Sequence, residues 1–309
     1  MRRAAIIGLA GTELTGEEAA LLRAARPLGA ILFARNIAAP PQLRALTATL
    51  RDLLGADAPI LVDQEGGRVA RLGPPHWPIF PPPATFENRL EAEARRNARE
   101  IGTVCMAEGL DVVCAPLLDL RLPGMHDIIG DRGFSADPAE VARLGAAWVA
   151  GLRDAGAQPV VKHIPGHGRA TLDSHLALPV VEAEADDFAP FAALAAPDLW
   201  AMTAHILYPS LDPERPATLS PTVIARTIRG AIGFDGLLLS DDLGMKALSG
   251  GLGALTEACL AAGCDVALHC SGVLEESAEV LAHAAPLTVA ALTRLAASRA
   301  AAKGALRAA

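Results

Sequence analysis

Aromatic residues, positive charge and paired cysteines are all scarce in this sequence of 309 residues. Aromatic residues make up 4 % of the chain, too few for the stacking surface on which single-stranded nucleic acid binds. The 27 Lys and Arg residues are outnumbered by 35 Asp and Glu residues, and the net charge of −8 disfavours binding to nucleic-acid phosphates or to an anionic membrane. We therefore expect neither nucleic acid nor a membrane as a partner.

Closely spaced cysteines and long apolar runs are missing as well. None of the five cysteines belongs to a C-x-x-C pair, so the sequence predicts neither a disulfide framework nor a zinc knuckle. We expect free, mostly buried thiols in a reducing compartment, and hence a cytoplasmic protein. No apolar run reaches the roughly 20 residues of a membrane span. The run Ala4–Ala10 is minimal for a signal peptide and is predicted to be a first strand.

Hydrophobic residues nevertheless make up 51 % of the chain, which is enough for a large core. They concentrate in eight short runs, most of them continuous rather than alternating. Continuous runs are typical of strands that are buried on both faces of a parallel sheet. The predicted strands are Ala4–Leu9, Gly29–Ala34, Pro59–Val62, Asp111–Leu120, Gln158–His163, Leu199–Ile206, Gly236–Ser240 and Asp265–Cys270.

Segments of helical period separate these runs. Residues 90–105 and 141–152 carry apolar side chains every three or four positions, which predicts one apolar stripe on each of two helices. Asp137 and Pro138 precede the second helix as a predicted N-cap and first helical residue. Shorter helices are predicted at 41–54, 221–232 and 254–262, and one or two helices in the Ala-rich tail 284–309. The stripe of the first helix is Leu90, Ala94, Ala98, Ile101 and Cys105.

Eight strands alternating with helices predict an α/β protein with a single (β/α)8 TIM-type barrel, which we expect to fill residues 1–309 as one catalytic domain. A doubly wound open sheet is the alternative. That fold usually carries a glycine-rich phosphate loop after its first strand, whereas this chain has Gly8-Leu9-Ala10-Gly11 there. The proline-rich stretch Pro74–Pro83 is predicted to be a loop within the domain, since strands continue on both sides of it.

Ionisable residues follow five of the eight apolar runs. In a barrel the carboxyl ends of the strands meet at one rim, and catalytic residues lie there. A single polar residue at a strand end is often only a cap or a turn former, but five such ends predict an active site. The residues at or just after these ends are Asp63, Glu65, Asp119, Lys162, His163, His205, Asp241 and Asp242.

Three kinds of chemistry fit this set of side chains. The histidines and aspartates include metal ligands, but the first strand lacks the H-x-H pair that metal-dependent barrel hydrolases of the amidohydrolase type share. Lys162 could form a Schiff base, but neighbouring carboxylates favour its charged form. Glycoside hydrolysis needs a carboxylate and a proton donor, and an imidazole held by a carboxylate, such as His175 beside Asp173, serves as donor.

The motifs in which these residues lie resemble those of the β-N-acetylglucosaminidases, or β-hexosaminidases, of glycoside hydrolase family 3. The likeness is greatest to the single-domain bacterial members that act in peptidoglycan recycling, and it runs in order through nearly the whole chain. The long motifs are D-Q-E-G-G-R-V at Asp63–Val69, K-H-I-P-G-H-G at Lys162–Gly168, D-S-H at Asp173–His175 and S-D-D-L-x-M at Ser240–Met245. Shorter likenesses lie at Leu32–Ile37, Gly130–Phe134 and Thr203–His205.

The resemblance implies a role for each residue of the set. Asp241 is the expected nucleophile, His175 the expected general acid/base, and Asp173 is expected to orient His175. The reaction would retain the anomeric configuration, because two displacements each invert it. No metal and no organic cofactor are implied. The sugar-binding positions implied by the resemblance are Asp63, Arg71, Arg132, Lys162 and His163.

The sequence also predicts structural roles beside these. Glu65 is expected to pair with an arginine inside the barrel, and His167 to anchor a loop. Asp242 is expected to cap a helix or to bond at the edge of the site. Two departures from the family pattern, Ile164 in place of Phe and the stretch Arg121–Asp127, leave the specificity beyond the first sugar open.

The expected activity is that of a cytoplasmic exo-acting β-N-acetylglucosaminidase. It would remove terminal non-reducing GlcNAc from peptidoglycan fragments, mainly GlcNAc-anhydro-MurNAc and its peptides, so that the partner is a small carbohydrate. A β-glucosidase or a broader β-hexosaminidase of the same family stays open. A non-catalytic sugar-binding barrel is disfavoured, because it would have no use for a nucleophile at Asp241.

Overall fold

Eight parallel strands close into a barrel in the computed structural model, which describes residues 1–308. The chain order of strands is also the order around the barrel, and β1 pairs with both β2 and β8. The predicted (β/α)8 barrel is therefore confirmed and an open sheet is excluded. The strands are β1 (Arg3–Gly8), β2 (Pro27–Leu32), β3 (Ile60–Val62), β4 (Val112–Val113), β5 (Gln158–Ile164), β6 (Trp200–Thr203), β7 (Leu237–Asp242) and β8 (Val266–His269).

Each strand is followed by at least one helical segment that packs outside the barrel. A π-helical segment, Val223–Ala231, takes this place after β6. The predicted cap of α4 is present, since the Asp137 carboxylate accepts a hydrogen bond from the backbone N–H of Ala139. The α-helices are α1 (Gly16–Ala25), α2 (Pro40–Leu54), α3 (Glu91–Ala107), α4 (Pro138–Asp154), α5 (Ala185–Leu194), α6 (Leu252–Ala262), α7 (Leu274–His283) and α8 (Val289–Ala308). Short 3-10 segments lie at Ala34–Asn36, Pro83–Phe86, Gly130–Arg132 and Ala217–Leu219.

Several predicted bounds are wrong. The second strand is Pro27–Leu32 and the sixth is Trp200–Thr203, where Gly29–Ala34 and Leu199–Ile206 were expected. The fourth strand was expected over Asp111–Leu120 but pairs continuously only at Val112–Val113, with an isolated bridge from Leu117 to Lys162, because Pro116 has no N–H with which to continue the ladder. The prediction that Leu90 lies on the buried stripe of α3 is also wrong. Leu90 is 70 % exposed, because the helix begins only at Glu91 and leaves Leu90 at its N-cap position.

Alternate side chains of each strand point into the barrel and towards the helices. On β7, Leu237 and Leu239 pack inside the barrel whereas Leu238 packs against the outer helices. The same alternation places Asp241 on the inner face, two residues beyond Leu239. In β3, Leu61 is the inward residue, and Asp63 follows it on the same face. The two-residue period of the strands therefore places the Asp63 and Asp241 carboxylates at the mouth of the barrel.

A short antiparallel hairpin follows β3 and covers part of the mouth. Its strands are Gln64–Gly66 and Val69–Ala70. Gly66 has a φ of 93°, and a Cβ there would lie 2.4 Å from the carbonyl oxygen of Pro81. Only glycine fits this turn, because it combines a left-handed backbone with close approach of another backbone segment. Among the described residues, no helix is long and apolar enough to cross a membrane.

Candidate active site

The site predicted from the strand ends is a pocket of about 210 Å³ at the carboxyl end of the barrel. Seven of the eight catalytic and sugar-binding residues that the family resemblance implies line it, and the eighth, Asp173, is bonded to the pocket residue His175. The structure therefore brings the whole set together from the ends of β3, β5 and β7 and from the loops that follow β3, β4 and β5. The lining side chains of that set are Asp63, Arg71, Arg132, Lys162, His163, His175 and Asp241.

Asp63 is held between two cations. Its carboxylate oxygens lie 2.8 Å from Lys162 Nζ and 3.1 Å from Arg71 Nη2. Burial by itself would raise the pKa of Asp63, but Lys162 and Arg71 hold it far below its usual value. The carboxylate is therefore ionised at any pH near neutrality and can only accept hydrogen bonds, which suits it to bind a hydroxyl group.

Glu65 and Arg132 form the buried pair that the sequence predicts for Glu65. Two parallel hydrogen bonds join them, 2.8 Å from Nε and 2.9 Å from Nη2. Lys162 Nζ lies 2.7 Å from the same carboxylate. Burial opposes the charge of Glu65, yet Arg132 and Lys162 lower its pKa. Arg132 thus reaches the pocket with its orientation already set by Glu65.

Lys162 remains a cation in this environment. Burial alone would lower its pKa, but Asp63 and Glu65 together raise it. A nucleophilic amine needs the opposite shift, so the site does not favour Schiff-base chemistry at Lys162. The described residues also contain no group of three or more His, Cys, Asp or Glu side chains placed to hold a metal ion.

His163 is oriented by Asp119, a residue to which the sequence assigned no role. Asp119 Oδ2 lies 2.7 Å from His163 Nδ1, and its carboxylate also accepts from the backbone N–H groups of His163 and His167. Nε2 of His163 then faces the pocket, 4.0 Å from Asp241 Oδ2. The one signal for Asp119 in the sequence was its position at the end of the fourth apolar run.

Asp241 presents one carboxylate oxygen to the pocket. Oδ1 accepts a hydrogen bond from the backbone N–H of Asp242 at 2.8 Å, while Oδ2 lies towards His163. Burial would raise the pKa of Asp241, but His163 and His205 lower it. The carboxylate is therefore ionised and has a free oxygen, as a nucleophile requires.

Asp242 serves the edge of the site, as one of the two predictions for it proposed. Its Oδ1 accepts hydrogen bonds from the backbone N–H groups of Gly244 and Cys270, both at 3.0 Å. Its carbonyl oxygen accepts one from His205 Nε2 at 2.9 Å. It does not cap the following helix, because α6 begins at Leu252. These bonds fix the end of β7 beside Asp241.

Asp173 and His175 form a compact turn beside the pocket. Asp173 Oδ1 lies 2.8 Å from both the backbone N and Nδ1 of His175. Since a carboxylate only accepts, Nδ1 carries the proton in this bond and Nε2 is left for proton transfer. Burial opposes the charge of Asp173, but the hydrogen bonds from His175 lower its pKa.

Sequence reasoning missed two side chains in or next to the site, Phe33 in the pocket wall and His269 beside Asp242. Phe33 lines the pocket, and the guanidinium carbons of Arg35 and Arg71 lie 4.9 and 5.6 Å from its ring centre. The stretch Leu32–Ile37 had signalled this part of the chain. His269 is fully buried, 3.5 Å from Asp242 Oδ1 and 3.2 Å from Glu276. The sequence offered no signal for that contact.

A parallel barrel whose mouth holds ionised carboxylates, cations and an imidazole–carboxylate pair is typical of a glycosidase. Residues 8–298 match the glycosyl hydrolase family 3 N-terminal domain. The β-hexosaminidase of Alkalilimnicola ehrlichii is 42 % identical over 280 residues, which cover 86 % of this chain and 80 % of that one. The chain belongs to glycosyl hydrolase family 3, and it is a glycosidase of the β-N-acetylhexosaminidase type.

Solved structures of similar proteins agree in fold over almost the whole chain. NagZ from Neisseria gonorrhoeae, solved in complex with N-trifluoroacetyl-D-glucosamine, superposes with a TM-score of 0.86 at 31 % identity, covering 99 % of this chain and 94 % of that one. A family 3 β-N-acetylglucosaminidase from Paenibacillus gives a TM-score of 0.84 at 33 % identity, and the match spans 60 % of that longer chain.

Proposed function

We propose that the protein is a retaining exo-β-N-acetylglucosaminidase that removes terminal non-reducing GlcNAc from peptidoglycan fragments, GlcNAc-anhydro-MurNAc and its peptides above all. The observation that carries the proposal is that an ionised Asp241 and a carboxylate-bound His175 line one pocket. The domain would be a single catalytic barrel over residues 1–309. The five cysteines, all free thiols, support a cytoplasmic location.

In the first step Oδ2 of Asp241 attacks the anomeric carbon of the bound sugar. The bond to the leaving oxygen breaks, and Nε2 of His175 gives that oxygen its proton. In the second step the same Nε2 takes a proton from water, whose oxygen attacks the anomeric carbon and releases Asp241. Each displacement inverts the centre, so the product retains the configuration of the substrate.

The sugar hydroxyls have matching partners around this centre. Asp63 accepts hydrogen bonds, Arg71, Arg132 and Lys162 donate them, and His163 presents its Nε2. Charged partners form the stronger hydrogen bonds, and their buried ion pairs hold them in place before the sugar arrives. An uncharged hydroxyl-rich ring therefore meets a rigid set of donors and acceptors at little cost in reorganisation.

A mechanism-based label tests the nucleophile. A 5-fluoro-N-acetylglucosaminyl fluoride forms the covalent intermediate faster than it is hydrolysed, and peptide mass spectrometry then locates the sugar. We expect the label on Asp241 and none on Asp242. Asp241→Asn should lose several powers of ten in kcat/KM, about 10⁴-fold or more, while Asp242→Asn retains the label. A labelled Asp242, or an active Asp241→Asn enzyme, would overturn the assignment.

Substrate and stereochemistry are tested separately. Release of GlcNAc from GlcNAc-anhydro-MurNAc is compared with hydrolysis of the 4-nitrophenyl β-glycosides of GlcNAc, GalNAc and glucose. We expect the GlcNAc substrates to be preferred and proton NMR to detect the β-anomer first. Equal rates on the GalNAc or glucose glycosides would instead indicate a broader β-hexosaminidase or a β-glucosidase, and a first-formed α-anomer would exclude retention.

A further inference from the structure

The turn that carries Asp173 and His175 lies in a long connection between β5 and α5. That connection is tied to the barrel before the turn, where Tyr208 donates to the Gly166 carbonyl and the backbone N–H of His126 donates to Ala170 at 3.0 Å. It is tied again after the turn, where Leu207 N donates to the Pro179 carbonyl at 3.0 Å. Neither set of hydrogen bonds includes residues 171–178, so the position of this segment depends on contacts of its own.

Ser174 makes these contacts. It is 3 % exposed, whereas the side chain of its neighbour His175 is 59 % exposed. Its Oγ lies 3.1 Å from His167 Nε2, and its carbonyl oxygen accepts from Ala247 N at 3.2 Å. Within the described chain, these two are the hydrogen bonds that connect 171–178 to residues outside it. We call them together the Ser174 anchor.

Internal hydrogen bonds hold the turn together, so that the Ser174 anchor fixes the position of the whole turn. Asp173 accepts from the N–H groups of His175, Leu176 and Ala177, and its carboxylate holds the His175 ring. A turn closed by so many internal bonds moves as one body. The place of the His175 ring relative to Asp241 is therefore decided by where Ser174 is held.

His167 is well suited to hold it. The ring is 2 % exposed and lies 5.5 Å from the His163 ring. Burial, reinforced by His163, lowers the pKa of His167 to about 4, so the ring is neutral at pH 7 and adds no charge beside Asp241. Among the described residues its Nδ1 has no hydrogen-bond partner, which leaves the bond to Ser174 as the one polar contact of this ring.

We propose that His167, acting through the hydroxyl group of Ser174, is a positioning residue that fixes the Asp173–His175 turn at the pocket. The inference rests on the proposed function of His175 as general acid/base. His167 comes from the end of β5, next to Lys162 and His163. The buried hydrogen bond between His167 and Ser174 would thus set the proton donor relative to the sugar-binding residues of β5, with the bond from Ala247 N as the second contact of the anchor.

The test is Ser174→Ala, which removes the hydroxyl and little else. A displaced acid slows the departure of poor leaving groups most, so kcat/KM should fall about 10–100-fold for a 4-methoxyphenyl glycoside of GlcNAc and less than about fivefold for the 4-nitrophenyl one.

Ser174→Thr keeps the hydroxyl and should recover most of the loss. His167→Gln, whose amide nitrogen reaches the Nε2 position, should retain more activity than His167→Phe. Thr171→Ala serves as the control on the same loop, since its hydroxyl makes no hydrogen bond to the described residues.

His175→Ala, measured beside these variants, separates the two hypotheses. If His175→Ala shows the leaving-group dependence and Ser174→Ala does not, the anchor is refuted while the role of His175 stands. If His175→Ala shows no such dependence, both fail. An equal loss on the two glycosides in Ser174→Ala, with an unchanged melting temperature, would also overturn the positioning role.

Discussion

The Lys162 ammonium group and the Asp63 carboxylate meet at 2.8 Å in the barrel mouth, although 99 positions separate them in the chain. Lys162 is 3 % exposed and touches Glu65 as well. Lys162→Ala would leave two carboxylates buried without their common cation, so we expect a loss of about 3–5 kcal/mol in the free energy of unfolding. Urea denaturation measures it.

Lys246→Ala is the matched control, because Lys246 is exposed on the loop that follows β7. Its free energy of unfolding should stay within about 0.5 kcal/mol of the wild type. If Lys162→Ala were as stable as Lys246→Ala, the ion pairs seen around Lys162 would not contribute to folding as argued.

His175→Ala should separate the two chemical steps. The side chain is exposed and, among the residues that the structure describes, bonds only to Asp173 of its own turn, so the fold should be unaffected. The first step on a 4-nitrophenyl glycoside needs little acid, but the second needs a base. We expect a burst of nitrophenol and then slow turnover, accelerated by azide as a replacement nucleophile. Asp173→Asn should behave alike with a smaller defect. Stopped-flow kinetics without a burst or azide rescue would argue against His175 as the acid/base.

Arg71→Ala should weaken binding of the transition state. Arg71 lines the pocket, lies 3.1 Å from Asp63 and stacks on Phe33. A charge-assisted hydrogen bond to a sugar hydroxyl contributes about 1.5–3 kcal/mol, so we expect kcat/KM to fall by about 10–150-fold. Phe33→Ala should lose less, since it only removes the support under the guanidinium. Arg89→Ala, at an exposed arginine just before α3, should retain wild-type kinetics.

The burial of His167 should make the fold sensitive to mild acid. Its pKa is lowered from 6.5 to about 4 in the folded protein, so the unfolded chain binds a proton that the folded chain does not. This contribution to stability is complete above pH 6.5 and is lost as the pH falls towards 4, by about 3 kcal/mol in all. Burial is the largest cause of the lowered pKa and His163 adds to it, whereas Asp119 and Asp241, which also face the ring, oppose it.

Unfolding free energies at several pH values check the sign and the size. His167→Gln should flatten the decline between pH 6.5 and 4 relative to the wild type, while His76→Gln, at an exposed histidine, should leave it unchanged. A wild-type curve that rises towards pH 4, or an unaltered slope in His167→Gln, would contradict the prediction.

The number and order of the elements follow from local patterns in the chain. Continuous apolar runs and helical stripes are set by residues within a few positions of each other, and they predict the eight strands and most of the helices; α1, α5 and α7 were not predicted. The two-residue period of a strand also predicts that Asp241 shares the inner face with Leu237 and Leu239. Strand length was less predictable, since the fourth strand pairs continuously with β3 and β5 only at Val112–Val113, and Pro116 then has no N–H for the ladder.

The residues of the site could be named from the sequence, since the rim of a barrel collects whatever follows its strands and the motifs resemble those of family 3. Their partners could not. The hydrogen bonds of His163 with Asp119 and of Cys270 with Asp242 join the ends of neighbouring strands, and the bond between His167 and Ser174 depends on how the connection after β5 folds back on itself. Such contacts depend on backbone positions within about 3 Å, which no local pattern encodes. The sequence by itself thus determined the barrel and its set of reactive groups, while only the tertiary structure decided their charge states, their orientation and which residues hold them.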